Sequence, residues 1–478
     1  MDNPHLQLLL LFAAVTAAFI TFYLKRKLSS SPKKHPPGSL GLPILGEIVS
    51  AMNALRLDRA HEWIHERVAA HGPVFMTSFV GTKTVVMIGE DANKFIFSAS
   101  DETLRSHQSS PIVHVVGKHS LFEYHGAKHK MVRGAMLGFL RPDSLQRYVP
   151  RMDSLVQYYL QQELEGKDTT KAVPLLKNIT FRVTTTLLFM ISDEKVKDML
   201  YKDFSLISKG IWSVPLYFPG TTFYHAMRAR ERIVDCFSNL IGERKRAMET
   251  GKIVGSQHDM ISSLLSLRDE DGRGLTGDEI IDNLVGLTIA SHDTTTSLLT
   301  SFVRVLARDA FVYEQVYKEQ AKVVSEKEEK YVTWKDIQKM KYTWRVAKEL
   351  LRMYPPLFGN FRKVVKDTSF NGFDIPRGWQ VEWTTTSHMD GEIFKEPMKF
   401  DPSRFESSRT HPPYTYVPFG AGQRMCPGSE YSKAEVLLIV HHFIMNYRFS
   451  EMIPDEPLTR IPVTSPAMGL PIKLEKIK

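Results

Sequence analysis

Cysteine is nearly absent: among 478 residues there are two, Cys236 and Cys426. A disulfide framework is therefore excluded, and each sulfur has to be explained by packing or by chemistry. Gly/Ser-rich linkers, internal repeats and low-complexity runs are also missing after residue 45. A length-based prior allows about three domains, but with nothing to divide it the chain reads as one large catalytic domain over 46–478. Its composition, 43% hydrophobic and 24% charged, supplies enough apolar material for a globular core. Charge is missing entirely from Leu6 to Leu24. At about 1.5 Å per residue that stretch nearly matches a hydrocarbon core of about 30 Å, so residues 1–27 read as a membrane anchor, one transmembrane helix. No Lys or Arg precedes it, whereas Lys25, Arg26, Lys27, Lys33 and Lys34 follow. The positive-inside rule then leaves the following domain cytosolic. The small residues Ala13, Ala14, Ala17 and Ala18 leave a cleaved signal peptide as the alternative. Residues 28–45 form a basic hinge stiffened by Pro36, Pro37 and Pro43. The net charge of +9 suits an anionic membrane surface or an acidic partner, and nothing points to nucleic acid.

What is present centres on Phe419-Gly420-Ala421-Gly422-Gln423-Arg424-Met425-Cys426-Pro427-Gly428. Gly422 and Gly428 let the backbone turn tightly and approach a flat ligand, since neither carries a Cβ. Arg424 offers a permanent cation to an acidic group on that ligand. Pro427 leads into a helix-like run, Ser429 to Phe443, whose N-terminal dipole favours negative charge on the sulfur. A haem iron held by the Cys426 thiolate fits these features, because thiolate ligation donates electron density that promotes O–O cleavage. Cys236, in the amphipathic stretch Arg228 to Arg244, reads as a core thiol.

Elsewhere, Val74–Phe79 and Thr82–Ile88 alternate around Gly81 as a hairpin does. Ser98 to Leu121 reads as a long loop. A helix opens at Gly126 and runs toward Phe139, placing His129 and Arg133 on one face. Helical patterns dominate Ser144 to Met248, interrupted by the aromatic, turn-rich stretch Ile211 to Phe223. A long helix spans Glu279 to Ala310, in which Asp293-Thr294-Thr295 can bond back to carbonyls and bend the axis. Glu349 and Arg352, three apart, can pair.

The spacing Phe-x-x-Gly-x-Arg-x-Cys-x-Gly resembles the cytochrome P450 family, with Phe419, Gly422, Arg424, Cys426 and Gly428 in its fixed places. The resemblance covers 36–478 and implies a mainly α fold with small β-sheets, containing haem b ligated by Cys426. It implies that Arg424, Arg133, His129 and Arg362 approach the haem propionates, although the family more often has Trp where His129 stands. It makes Asp293 and Thr294 the acid–alcohol pair that relays protons for O₂ activation, with Ser291 replacing the usual Gly. Glu349 and Arg352 match Glu-x-x-Arg, and Arg404 supplies the third member of a buried triad. Trp212, Tyr217, Phe218 and Phe223 would roof the pocket, with Pro355 to Asn360 and Ala467 to Leu470 as further lining. The phrases Phe139-Leu140-Arg141-Pro142 and Asp401-Pro402-Ser403-Arg404-Phe405-Glu406 look most like plant terpenoid oxidases of the β-amyrin 28-oxidase type, with taxane hydroxylases as cousins. The implied function is a monooxygenase of the endoplasmic reticulum membrane that oxidises a polycyclic terpenoid. Its electrons would come from NADPH–cytochrome P450 reductase, docking at Lys128, Lys130 and Lys433. The alternatives are a diterpenoid or steroid hydroxylase, and a haem-thiolate isomerase that needs no O₂.

Overall fold

In the computed structural model, residues 34–251, 259–461 and 463–477 are described. The uncharged Leu6–Leu24 stretch lies outside them. Among the described residues no helix is long and apolar enough to cross a membrane.

The fold is mainly helical, with small sheets. Its axis is the helix Gly277–Arg308, which packs on Ala172–Phe189, Ser429–Asn446 and Lys341–Met353. A capping box starts it: the Thr276 hydroxyl accepts the Glu279 amide, and the Glu279 carboxylate accepts the Thr276 amide. It ends two residues before the expected Ala310, because Asp309 leaves the helical conformation and caps the next helix, Ala310–Glu326, by accepting the Val312 amide.

The largest sheet has five strands, ordered Val74–Phe79, Thr82–Met87, Gln380–Thr384, Gly359–Val364 and Leu104–Ser106. Its first pair is the expected hairpin, closed by Val80 and Gly81 at φ 47° and 76°. A two-residue turn that follows the strand twist requires positive φ at both positions. The proline-rich segment from Lys34 onward is laid along this sheet. Lys34 and Asp374 exchange hydrogen bonds (3.0 and 2.8 Å), and Met76 N–H donates to Pro37 O at 2.7 Å. A Cβ on Gly38 would sit 2.0 Å from Met76 O, so only glycine permits this approach. The described part of the hinge is thus fastened to the domain.

Ser98–Leu121 is not the continuous loop expected from its composition. Leu104–Ser106 pairs with Gly359–Val364, and Ser110–Val116 is a helix with Pro111 in its first turn and Gly117 at its end. The helix terminus is held by Arg230, whose Nη1 donates to Val115 O and Val116 O at 2.8 and 2.9 Å. The following loop is pinned to the central helix, with His119 N–H on Asp282 and Leu121 N–H on Asn283 at 3.0 and 2.8 Å. This tertiary pairing overrides the polar composition.

Candidate active site

The loop carrying Cys426 is closed by its own backbone. Cys426 N–H donates to Phe419 O at 2.9 Å and Met425 N–H to Gly422 O at 3.2 Å. Gly422 has φ +66°, and a Cβ there would lie 2.1 Å from Phe97 O, so the turn and the close approach both demand glycine. Gly428 caps the helix Ser429–Asn446. Cys426 is accessible at its own surface although protein surrounds the recess it faces. Desolvation wins and raises its thiol above the ordinary value, while the Gly428 amide and the charge of Arg133 work against that rise. Those two groups therefore stabilise the thiolate.

Arg424, Arg133, Arg362 and His129 gather near this recess, and each feels the charge of others in the group. Arg362 is buried with no ion-pair partner among the described residues, and burial with the neighbouring Arg424 lowers it to about 10. Burial likewise lowers Arg133. His129 is buried, and desolvation followed by the Arg424 and Arg133 charges lowers it to about 4. It is therefore a neutral hydrogen-bonding ring at pH 7, not a third kind of cation. Arg424 Nε is buried without a partner, whereas its Nη2 contacts both oxygens of Asp101 at 3.0 Å and His125 Nδ1 at 3.0 Å. Guanidiniums that are buried at Arg362 and half-buried at Arg133 and Arg424, with only Arg424 ion-paired among the described residues, beside the Cys426 loop fit a haem with two propionates. The Asp101 partnership was not anticipated. Its only sequence signal was an acid in an otherwise Ser- and His-rich stretch.

The central helix approaches from the other side. Thr295 Oγ1 lies 3.2 Å from Ser432 Oγ on the Cys426 helix, and Thr296 Oγ1 lies 3.2 Å from Thr180 Oγ1. These two threonines tie helices together. Thr294 is different: it is half-buried, and its hydroxyl donates to Ala290 O at 2.6 Å. In a largely buried stretch, Leu287, Ile289, Ala290, Ser291 and Thr294 are each partly accessible. The spacing of Leu287, Ala290, Ser291 and Thr294 places these four on one helix face, whose Leu287 end also packs against the main core. The helix stays continuous through the threonines, and the expected bonding back to a carbonyl is present at Thr294.

Asp293, adjacent to Thr294, points elsewhere. Its Oδ1 pairs with Lys177 Nζ at 2.6 Å and its Oδ2 accepts the Ser208 hydroxyl at 2.7 Å. Burial works to raise the carboxyl, but His292, Lys177 and Ser208 outweigh it and hold it below the ordinary carboxylate value. Burial lowers His292 itself, so Lys177 is the cation that matters. The structure thus brings Thr294 to the accessible face and holds Asp293 behind it.

Arg352 forms a bidentate pair with Glu349 (both 2.8 Å), and Arg404 Nε lies 3.3 Å from Glu349 Oε1. Both Glu349 and Arg352 are 0% exposed. Arg352 also donates to His388 O (3.1 Å) and Pro397 O (2.7 Å), and Glu349 Oε1 accepts the Asp401 amide at 2.9 Å. This network joins the helix Lys341–Met353 to the loops that lead to Cys426. Glu349→Gln or Arg352→Leu strands a buried charge, which costs about 3–5 kcal/mol. The expected result is a much lower urea midpoint and little folded protein; an unchanged midpoint would show that the network does not hold the loops.

The expected aromatic roof is only partly inward. Phe223 is buried, edge-on to His114 with centroids 6.2 Å apart. Trp212, Val214, Leu216, Tyr217 and Phe218 are exposed to solvent instead, in a segment that Pro215 and Pro219 keep from being helical. Ala467 and Met468 are also exposed, and only Leu470 of that turn is buried. Among the proposed docking lysines, Lys128 is paired with Glu279 and Lys433 lies 5.4 Å from the Trp344 ring centre, while Lys130 is exposed.

The family model described as Cytochrome P450 matches residues 36–478. The chain is 39% identical over 466 residues to taxane 13-alpha-hydroxylase of Taxus cuspidata, covering 96% of each. It is 37% identical over 474 residues to beta-amyrin 28-monooxygenase of Kalopanax septemlobus, covering 98% of each. Among solved structures, retinoic acid-bound cyanobacterial CYP120A1 superposes with a TM-score of 0.84 at 30% identity, covering 94% of this chain and 100% of that one.

Proposed function

The chain belongs to the cytochrome P450 family and is a monooxygenase, and from that premise we propose that it oxidises a polycyclic terpenoid, a triterpenoid first of all. Haem b sits on Cys426, electrons come from an NADPH-dependent flavin reductase, and Leu6–Leu24 anchors the protein in the endoplasmic reticulum membrane with its domain cytosolic. The exposed Trp212–Phe218 stretch suits contact with lipid.

The observation that carries the substrate reading is the uncharged stripe Leu287, Ala290, Ser291 and Thr294 on the central helix. A face that offers methyl groups and hydroxyls but no charge accepts a large apolar molecule and rejects an unpaired ionic one. The two relatives named for taxane and β-amyrin support the same class. A taxane-type diterpenoid is the second reading, favoured by the 39% identity to the 13-alpha-hydroxylase.

Haem, once bound, supplies the centre at which O₂ is cleaved, with thiolate electron density assisting. The chain's own groups do the rest. The Gly428 amide and Arg133 oppose the desolvation that on balance raises the Cys426 thiol, and Arg133, Arg362 and Arg424 would hold the propionates with neutral His129 beside them. Thr294 places its hydroxyl oxygen on the accessible face, its proton donated to Ala290 O at rest, and Asp293, ionised beside Lys177, would pass on a proton taken up from water once released from that cation. The stripe excludes bulk water and seats the ring system. Titration of the purified protein with a panel of triterpenes, taxanes, sterols and small polar acids tests the class. The terpenoids should shift the haem toward high spin, and a response to small acids alone would overturn the reading.

A further inference from the structure

The haem recess contains one acid that the propionate reading does not require. Asp101 contacts Arg424 through both carboxylate oxygens at 3.0 Å, and its Oδ2 accepts the amide of Gly126, the first residue of the helix bearing His129 and Arg133, at 3.2 Å. The Arg424 hydrogen bond and charge overcome desolvation and hold the Asp101 carboxyl below its ordinary value. It is ionised at neutral pH. The histidines beside it are not cations, since burial and the Arg424 charge lower both His125 and His129 to about 4. Two further charges act on His125. Glu123 accepts the Gln108 amide and pairs with His107, and Arg105 is exposed.

The count around the recess is then three guanidiniums, Arg133, Arg362 and Arg424, against one carboxylate. Two net positive charges remain for the two carboxylates of a porphyrin. We propose that Asp101 is a positioning residue of the haem pocket: it aims Arg424, cancels one of three guanidinium charges, and so holds the ferric–ferrous reduction potential below the value the guanidiniums alone would set. The inference rests on the reading that Cys426 ligates haem b here. Its physical basis is simple. One-electron reduction lowers the charge at iron by one, so an unbalanced cation nearby favours the reduced form, and it does so strongly where dielectric screening is weak.

The test is a dithionite titration of the purified, haem-loaded full chain with redox mediators, comparing wild type, Asp101→Asn and Asp101→Glu. Asp101→Asn should shift the midpoint positive while leaving the reduced CO band at its thiolate position, and Asp101→Glu should restore the wild-type value. A residue that merely tethers Gly126 would change haem retention or thermal stability but not the midpoint. An unmoved midpoint in haem-loaded Asp101→Asn therefore overturns the proposal. If Asp101→Asn does not retain haem, Asp101→Glu decides: it keeps the negative charge beside Arg424 and should hold haem at the wild-type midpoint, and a midpoint shifted positive in that variant counts against charge balance. A wild-type protein without the thiolate CO band would instead overturn the ligation reading on which this rests.

Discussion

Cys426→Ala is expected to abolish the red-shifted Soret band of the reduced, CO-bound protein completely, and monooxygenase turnover with it. The expectation rests on how differently the two cysteines are placed. Cys236 lies on the helix Thr222–Glu249, packed against the main core, and burial pushes its thiol up to about 11. Nothing there stabilises a thiolate, and a neutral thiol is a poor ligand. Burial raises the Cys426 thiol as well, but there an amide at Gly428 and a guanidinium at Arg133 oppose the rise, in a loop whose glycine at 422 cannot be replaced without striking Phe97. The companion variant Cys236→Ser should keep the full band. Circular dichroism checks that Cys426→Ala still folds. Retention of the thiolate band in that variant would sink the assignment.

Local chemistry made parts of this molecule readable in advance, and the unread parts were decided by distant partners. The Cys426 loop was legible because its glycines, cation and thiol act within ten residues of one another. The hairpin at Val74–Met87 was legible because alternation and a Gly turn are properties of adjacent residues. Asp101 was not, since its partner Arg424 lies more than three hundred positions away. The strand Leu104–Ser106 is too short to show a pattern and exists because Gly359–Val364 offers it an edge. Trp212, Tyr217 and Phe218 were expected to roof the pocket because the family's corresponding segment does, yet they are exposed. Exposure of single apolar side chains is common enough that composition cannot give direction. The direction of Asp293 was equally hidden, because its cation comes from a different helix, at Lys177.

That last arrangement shapes the second large expected effect. Cleaving O₂ to products that include water requires two protons, and a positioned hydroxyl backed by a carboxylate supplies them through water where an apolar helix face cannot. Thr294 is the threonine on the accessible stripe, which it shares with the Ser291 hydroxyl, and Thr295 and Thr296 are occupied with Ser432 and Thr180. Thr294→Ala should therefore fold, bind haem and show the substrate spin shift, yet divert most NADPH-derived electrons into hydrogen peroxide. Loss of one proton-relay group is worth about 10²–10⁴ in rate, so product per NADPH should fall to a small fraction. Asp293→Asn keeps the Ser208 contact but weakens the pairing with Lys177. It should slow O₂-dependent turnover more than substrate binding, and in heavy water the slowed step should show a larger solvent isotope effect. Lys177→Met removes the cation that holds Asp293 away from Thr294. If the carboxylate must be released before it can replenish the hydroxyl, this variant should retain coupling that Asp293→Asn loses. An isomerase would consume no NADPH in any of these proteins, and a purely structural Thr294 would lose haem instead of coupling. Measuring NADPH, peroxide and product together in the three variants separates those outcomes, because only a proton relay predicts intact binding, continued NADPH consumption and missing product in the same sample.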